Sequence, residues 1–141
     1  MKKILYIHHA GSLTGAARSV ELLISKLNRK KYEPIVLLLS DGPARKLFEQ
    51  LGAKVIVDSR LGAFHGTTVS GMSPKLFLRN VLYMPSSLYF GRKIINEIQP
   101  DLIHLTSTCL FLYAKIAKSI YIPVITHVRE PLLDSIFGKI L

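Results

Sequence analysis

Two groups of polar residues follow apolar segments and have the types that bind anionic or polar ligands. The first is the loop Gly11–Gly15, between an apolar run that ends at Ile7 and an amphipathic helical pattern. Glycine lets the backbone approach a ligand closely, and the start of a helix directs N–H groups and a positive dipole end at an anion. Ser12 and Thr14 can donate hydroxyl hydrogen bonds, and one of them is expected to cap the helix. The loop predicts an anion-binding turn or, alternatively, a simple turn that requires glycine.

The second group follows the apolar segment Pro123–Thr126 and consists of His127, Arg129 and Glu130. A histidine in this position either contacts a substrate or closes the strand by bonding to the backbone. Arg129 and Glu130 suit a polar substrate group, or they pair with neighbouring side chains. The sequence leaves both alternatives open.

The elements that position these groups are five short apolar runs that alternate with helical patterns. The runs are Ile4–Ile7, Pro34–Leu39, Lys54–Val57, Leu102–Leu105 and Pro123–Thr126. Strands that are apolar on both faces predict a covered parallel sheet, and Gly52 is placed to end the second helix in a left-handed conformation. We therefore predict an α/β fold of Rossmann type, a doubly wound and mainly parallel sheet with helices on both faces.

In such a sheet the ligand binds beyond the carboxyl ends of the strands, where the strand order reverses, usually between the first and fourth strands. The prediction places His8–Gly15, Thr106–Thr108 and His127–Pro131 at this point. Thr106 and Ser107 therefore join the candidate substrate-binding residues.

The remaining histidines receive structural interpretations. His8 and His9 are adjacent, so strand alternation predicts that they point to opposite sides and cannot form a simple two-ligand metal pair. His104 is predicted to be a buried group with satisfied hydrogen bonds. His65 lies between glycines and is expected at the surface, or alternatively in contact with a ligand.

The stretch Leu61–Ile98 has no regular pattern. Glycines at 62, 66 and 71 predict a loop, and the basic, aromatic and apolar segment Lys75–Phe90 is predicted to break near Pro85. This segment either packs on the sheet or lies on a membrane surface. The charge of Arg79, together with Pro85, argues against a membrane-spanning segment.

Composition sets the remaining limits. A chain of 141 residues fits one domain, and its net charge of +10 favours anionic partners such as phosphates, nucleic acid or an acidic membrane face. The basic residues lack the dense runs and interleaved aromatics of nucleic-acid surfaces, so nucleic acid is not expected as a partner. The single cysteine, Cys109, excludes an intrachain disulfide and fits a reducing, cytoplasmic setting. Neither the G-x-G-x-x-G dinucleotide pattern nor the G-x-x-x-x-G-K-[ST] phosphate loop occurs.

Three motifs together resemble the N-terminal domain of the family 4 retaining glycosyltransferases, which have the two-domain GT-B architecture. The loop TGAAR at residues 14–18 is similar to the Gly-Gly-Ala-Glu-Arg-like loop of that family, with departures at Thr14 and Ala17. The strands PDLIH at 100–104 and PVITH at 123–127 resemble two strands of the family that end in histidine. The tail REP at 129–131 looks like the family's His-x-Arg-Glu variant.

The resemblance implies the acceptor-side domain of an enzyme of polysaccharide biosynthesis. Such an enzyme transfers a sugar from a nucleotide-sugar donor to a saccharide or lipid-linked acceptor. His127 would lie near the transferred sugar as the catalytic residue. The substrate-binding residues would be Gly11, Ser12, Thr14, Gly15, Arg18, Thr106, Ser107, Arg129 and Glu130. No metal or cofactor is expected beside the donor, since protein groups and helix ends neutralise the leaving diphosphate in this architecture.

The resemblance also implies a missing part. In this family a C-terminal Rossmann-like domain holds most of the nucleotide sugar, and nothing in the chain matches that domain. The segment Pro131–Leu141 has the pattern of a helix that is only beginning. We therefore expect residues 1–141 to form one truncated domain of a longer enzyme, inactive alone and completed by the missing domain or by a partner chain.

Two alternatives remain open. The first is a non-catalytic, membrane-associated subunit of a split glycosyltransferase, which would recruit the acceptor and pair with a donor-binding chain. The second is a Rossmann-like nucleotide-binding module with no role in sugar transfer. A cytoplasmic location is expected, with peripheral contact to the cytoplasmic face of the membrane as a further possibility.

Overall fold

The computed structural model describes residues 1–64 and 73–129, which form one parallel sheet covered by helices. The strands are β1 (Lys2–His8), β2 (Tyr32–Leu38), β3 (Lys54–Val57), β4 (Leu102–Leu105) and β5 (Val124–Thr126). Every pairing is parallel, and the order across the sheet is β3-β2-β1-β4-β5. The predicted fold class is confirmed, with strand boundaries close to the apolar runs of the sequence.

One face of the sheet is covered by helices α1 (Gly15–Lys26) and α2 (Pro43–Gln50). Helix α1 buries Ala17, Val20 and Ile24, whose spacing of three and four residues keeps them on one side. Helix α2 starts with a proline, whose fixed φ suits a first helical turn. It is followed by Gly52 at φ 73°, the left-handed conformation predicted there.

The opposite face is covered by helices α3 (Pro74–Ile98) and α4 (Phe111–Ser119). They cross closely at Gly91, where an added Cβ would lie 3.0 Å from the ring of Tyr113. Tyr113 is fully buried, and its hydroxyl donates a hydrogen bond of 2.8 Å to the carbonyl of Gly62. Burial raises the pKa of this phenol well above its usual range, so the side chain stays neutral.

The predicted break near Pro85 is wrong, because α3 continues through this residue to Ile98. A proline inside a helix removes the hydrogen bond to the carbonyl four residues earlier. Here Pro85 lies on the exposed side, where water can bond that carbonyl instead. Two residues further on, the Ser87 hydroxyl donates to the carbonyl of Tyr83 at 2.7 Å and accepts from the N–H of Gly62 at 2.8 Å, which joins α3 to the loop after β3.

Strand β1 lies in the centre, between β2 and β4, so the strand order reverses at its carboxyl end. The loop after β1, the turn after β4 and the residues after β5 therefore meet at the same edge, as predicted. Among the described residues no helix is long and apolar enough to cross a bilayer. The predicted helix at 131–141, and the loop glycines at 66 and 71, lie outside the described residues.

Candidate functional site

The carboxyl end of β1 is anchored by a buried histidine. His8 is fully buried at the end of the strand, and its Nδ1 lies 2.9 Å from the Thr106 hydroxyl that follows β4. The ring of Phe48 from α2 packs edge-on against it, with centroids 6.2 Å apart. This bond joins the two central loops of the site, and it leaves the Thr106 hydroxyl buried rather than open to a ligand.

Gly11 is required by backbone packing. A Cβ at this residue would lie 2.2 Å from the carbonyl oxygen of Asp41, and a Cβ at Gly42 would lie 2.5 Å from the carbonyl of Gly11. The Gly11 N–H donates to the Ser40 hydroxyl at 2.9 Å, and its carbonyl accepts from the N–H of Ala44 at 2.8 Å. The loops after β1 and β2 are thus held together by their main chains, which accounts for this glycine without a ligand.

Gly15 is different, because it faces open space. Nothing lies within 4 Å of a Cβ built on this residue, which is the first of helix α1. Thr14 caps the helix, as predicted for Ser12 or Thr14, with its hydroxyl accepting from the Ala17 N–H at 3.3 Å. Ser12 is exposed beside it. The first N–H groups of a helix have no partner within the helix, so this open end is suited to an anion.

Two other predicted binding residues are engaged with the protein itself. Arg18 is mostly exposed and pairs with Glu21 at 2.8 Å along the outer side of α1. Ser107 is buried, and its hydroxyl accepts from the Cys109 N–H at 3.3 Å, capping the short 3-10 turn Thr108–Leu110. Their roles in substrate binding stay predictions.

The chain beyond β5 brings His127 and Arg129 to the same edge. The His127 N–H bonds to the carbonyl of Leu105 at 2.8 Å, which extends the β4–β5 pairing by one residue. Arg129 Nη2 lies 2.9 Å from His127 Nδ1. An arginine N–H can only donate, so Nδ1 accepts and the neutral ring carries its proton on Nε2. The exposed ring can therefore donate from Nε2 to a hydroxyl on a ligand.

His104 lies beneath this pair. Its ring contacts Tyr6 on one side and His127 on the other, with centroids 5.2 and 5.3 Å apart. The residue is buried as predicted, and its Nε2 has no hydrogen-bond partner among the described residues.

His8 and His9 lie on opposite sides of the sheet, as strand alternation predicts: His8 packs against Phe48 of α2, and His9 lines a cavity on the side of α3. Their ring centroids are 5.3 Å apart. Within residues 1–64 and 73–129, no group of three or more His, Cys, Asp or Glu side chains is arranged to hold a metal ion. The candidate residues Glu130 and His65 lie outside the described residues.

Two buried histidines at this edge have lowered pKa values. The pKa of His8 is lowered to about 4 by burial and by the charges of His9 and Arg129. The pKa of His104 is lowered to about 4 by burial and by His127 and Arg129. Both rings are neutral at pH 7, so Arg129 supplies the fixed positive charge among them. Its buried Nε has no hydrogen-bond partner among the described residues.

A cavity of about 310 Å³ opens at the same edge, on the side of α3. His9, Ser40 and Ser59 come to it from the ends of the first three strands, and α3 supplies Arg79, Asn80 and Tyr83. Sequence reasoning did not select most of these residues, since they come from distant segments with no shared motif. The one available signal was their position just after apolar runs, which applies to Ser40 and Ser59.

No protein-family model matches the chain, and no curated protein matches it in sequence. Solved structures do match. MurG of Acinetobacter baumannii superposes on 91% of this chain and 35% of its own, with a TM-score of 0.64 and 12% identity. HepE of Anabaena, solved with UDP and glucose, covers 90% of this chain and 29% of its own, with a TM-score of 0.55 and 21% identity.

A third match has the same fold but a different description. The C-terminal domain of a Pyrococcus furiosus hydrogenase covers 90% of this chain and 91% of its own, with a TM-score of 0.61 and 14% identity. At such identities the likeness shows the fold: a Rossmann-like α/β domain of the kind that occurs in GT-B glycosyltransferases. The chain spans about a third of the length of MurG and HepE.

Proposed function

We propose that the chain is the acceptor-binding domain of a retaining glycosyltransferase of family 4. It would transfer a sugar from a nucleotide-sugar donor to a saccharide or lipid-linked acceptor. The observation that carries the proposal is that the open N-terminus of α1 at Gly15 follows β1, and His127 and Arg129 follow β5, two strands whose carboxyl ends lie at the same edge of the sheet. The resemblance of segments 14–18, 100–104 and 123–127 to that family supports the retaining assignment.

In this proposal the residues have distinct roles. The first N–H groups of α1 and the charge of Arg129 stabilise negative charge on the diphosphate as it leaves. His127 donates from Nε2 to a hydroxyl of the transferred sugar, with Arg129 holding the ring in the required tautomer. Thr106 and Ser107 act indirectly, by positioning the loops. A C-terminal domain or a partner chain supplies most of the donor contacts.

The cavity beside α3 is the proposed acceptor pocket. It is lined by hydroxyl, amide, imidazole and guanidinium groups, which suit a sugar or a phosphate-bearing head group. Its position at the same edge as His127 and Gly15 allows donor and acceptor to meet there. The polysaccharide-related role, the cytoplasmic location and the absence of a metal or further cofactor belong to the same proposal.

The experiment uses two substitutions at Gly15. Gly15→Glu adds a negative charge at the start of α1, where the carboxylate interacts favourably with the positive end of the helix dipole but repels an anionic ligand. We expect unchanged or slightly higher thermal stability and at least a roughly 10-fold loss in affinity for UDP-sugars, measured by calorimetry on the full-length protein. Gly15→Ala, which meets nothing within 4 Å, is the matched control and should bind normally. Equal affinity of all three proteins would remove the α1 terminus from the site.

His127 is tested by turnover. His127→Ala should lower the release of nucleoside diphosphate about 100-fold without altering folding, because the side chain is exposed and acts in the transition state. The matched control is Tyr121→Ala, since Tyr121 is 95% exposed in the turn before β5. Normal turnover by the His127 variant would exclude it from the mechanism.

A second candidate function is favoured by the outward side of α3, where Leu78, Leu82 and Tyr89 are 59%, 68% and 68% exposed. In this alternative the chain is a non-catalytic, membrane-associated subunit that recruits the acceptor and pairs with a donor-binding chain. Affinity purification of the native protein distinguishes the two. A complete transferase is active by itself, whereas a split one regains activity only when the copurified donor-binding chain is added back.

A further inference from the structure

One wall of the cavity at the sheet edge is a loop without helix or strand bonds of its own. This wall, which we call the loop wall, consists of Ser59, Leu61, Gly62 and Ala63, which follow β3 and line the cavity. The main chain of such a segment needs hydrogen-bond partners from elsewhere in the protein, and it opens easily where they are few. The position of the loop wall therefore depends on the groups that bond its main chain.

Both main-chain groups of Gly62 are bonded by buried hydroxyl groups. The Gly62 N–H donates to the Ser87 hydroxyl of α3 at 2.8 Å, and the Gly62 carbonyl accepts from the Tyr113 hydroxyl of α4 at 2.8 Å. Ser87 and Tyr113 are fully buried, and neither lines the cavity. Two helices thus hold the loop wall through groups that a ligand in the cavity would not touch.

The Ser87 hydroxyl joins two walls of the cavity. Its single hydrogen is donated to the carbonyl of Tyr83 at 2.7 Å, while its oxygen accepts from Gly62. Tyr83 lines the cavity from α3, and Gly62 lines it from the loop. A Cβ added at Gly62 would lie 2.9 Å from the Cβ of Tyr83, so the two walls are in direct contact. Their relative position therefore depends on Ser87.

Two further bonds attach the ends of the same loop. The Ser86 hydroxyl of α3 donates to the carbonyl of Arg60 at 2.8 Å. The N–H of Phe64 donates to the carbonyl of Cys109 at 2.7 Å. Gly62 lies between these two attachments. Loss of either bond at Gly62 would therefore loosen the middle of the loop, which faces the cavity, while its ends stay attached.

We propose that Ser87 and Tyr113 are positioning residues of the cavity: by holding Gly62, they keep the loop wall in the conformation that binds the acceptor. The proposal rests on the proposed function of the cavity as the acceptor pocket. A wall that is in place before binding does not have to be ordered by the ligand. If the wall is in place for only part of the time, the apparent affinity falls by that fraction.

The first measurement is amide hydrogen exchange of the protein without ligand. Ser87→Ala removes the acceptor of the Gly62 N–H, and Tyr113→Phe removes the donor to the Gly62 carbonyl. Each substitution should accelerate exchange at Gly62 about 5-fold or more relative to exchange at the buried Val36 of β2. Ser119→Ala is the matched control, since this hydroxyl donates within α4, to the Ile116 carbonyl at 2.7 Å. It should leave the ratio unchanged.

The second measurement is binding of glucose 6-phosphate, a probe that carries both the hydroxyl groups and the phosphate for which the cavity is suited. Its dissociation constant is obtained from the shifts of the Ser59 and Ala63 amide signals in a nuclear magnetic resonance titration. Ser87→Ala and Tyr113→Phe should each weaken binding about 5-fold or more, whereas Ser119→Ala should bind as the unmodified protein does. Lower overall stability leaves the dissociation constant of the folded molecules unchanged, so weaker binding distinguishes positioning from a purely structural role.

The outcomes separate this proposal from the function on which it rests. If the probe shifts the two amides and both variants bind it as tightly as the Ser119 variant, the positioning role is overturned and the acceptor pocket stands. Unchanged exchange at Gly62 in both variants would also overturn the positioning role, because the two bonds would not hold the loop. If the probe leaves both amides of the unmodified protein unshifted, the assignment of the cavity as acceptor pocket fails, and the positioning role fails with it.

Discussion

Acid should destabilise this protein through His8, because the folded state holds the ring neutral. Its pKa is about 4 in the folded protein, against 6.5 for an ordinary histidine, chiefly because it is buried. A lowered folded-state pKa means that the unfolded chain takes up the proton first. The stability contributed by neutral His8 is therefore complete above pH 6.5 and is lost as the pH falls toward 4. Between pH 7 and pH 5 this difference amounts to about 2 kcal/mol.

The assay is urea unfolding at pH 7 and pH 5. His8→Asn keeps a hydrogen-bonding atom near Thr106 but does not titrate. Between pH 7 and pH 5 its free energy of unfolding should therefore fall by about 2 kcal/mol less than that of the unmodified protein. Thr106→Val is the matched control: it removes the partner of His8 Nδ1, lowering stability at both pH values while the pH dependence remains. His104 contributes in the same direction in all three proteins, and its effect cancels in the comparison.

Nuclear magnetic resonance gives an independent check on the same reasoning. The His8 ring signals of the folded protein should not shift until the pH is well below 5.5, since the folded pKa is about 4. A midpoint near 6.5, or equal pH dependence of the His8→Asn variant and the unmodified protein, would refute the link between burial of this ring and acid sensitivity.

Two further predictions concern stability and use thermal or urea unfolding. Gly11→Ala should lower the free energy of unfolding by about 2 kcal/mol or more, because its Cβ would lie 2.2 Å from the Asp41 carbonyl oxygen. Gly15→Ala should raise it by about 0.5 kcal/mol, because its Cβ meets nothing within 4 Å. Equal effects of the two substitutions would contradict the assigned packing. Tyr113→Phe should lower the free energy of unfolding by about 1 kcal/mol, because it removes the hydrogen bond to the Gly62 carbonyl. The control Tyr121→Phe, at an exposed residue, should leave it unchanged. An unchanged value for Tyr113→Phe would show that this hydrogen bond does not stabilise the fold.

The sheet could be predicted from sequence because each strand is apolar on both faces, and the pattern survives in short runs such as Lys54–Val57. The cap at Thr14 was also predictable, since it depends on local geometry. Pro85 was not, because the effect of a proline depends on which side of the helix faces solvent. That side is set by tertiary packing.

In the candidate site, too, the features that could not be predicted are those set by tertiary packing. Gly11 and Gly15 look equivalent in the sequence, yet one contacts backbone and the other faces open space. The distinction depends on Asp41 and Gly42, which lie thirty residues further along the chain. The cavity likewise depends on segments that are remote in sequence. These features follow from chain crossings that no local pattern encodes.

The backbone contact between Gly11 and Gly42 has a mechanical consequence. The loops after β1 and β2 share two hydrogen bonds through Gly11, one from its N–H to Ser40 and one to its carbonyl from Ala44. They therefore move as one body, and two amides are expected to exchange slowly with solvent: that of Gly11, although it lies in a loop, and that of Ala44 in the first turn of α2. One wall of the cavity includes Ser40, so the loop after β1 and that wall are preassembled before any ligand arrives.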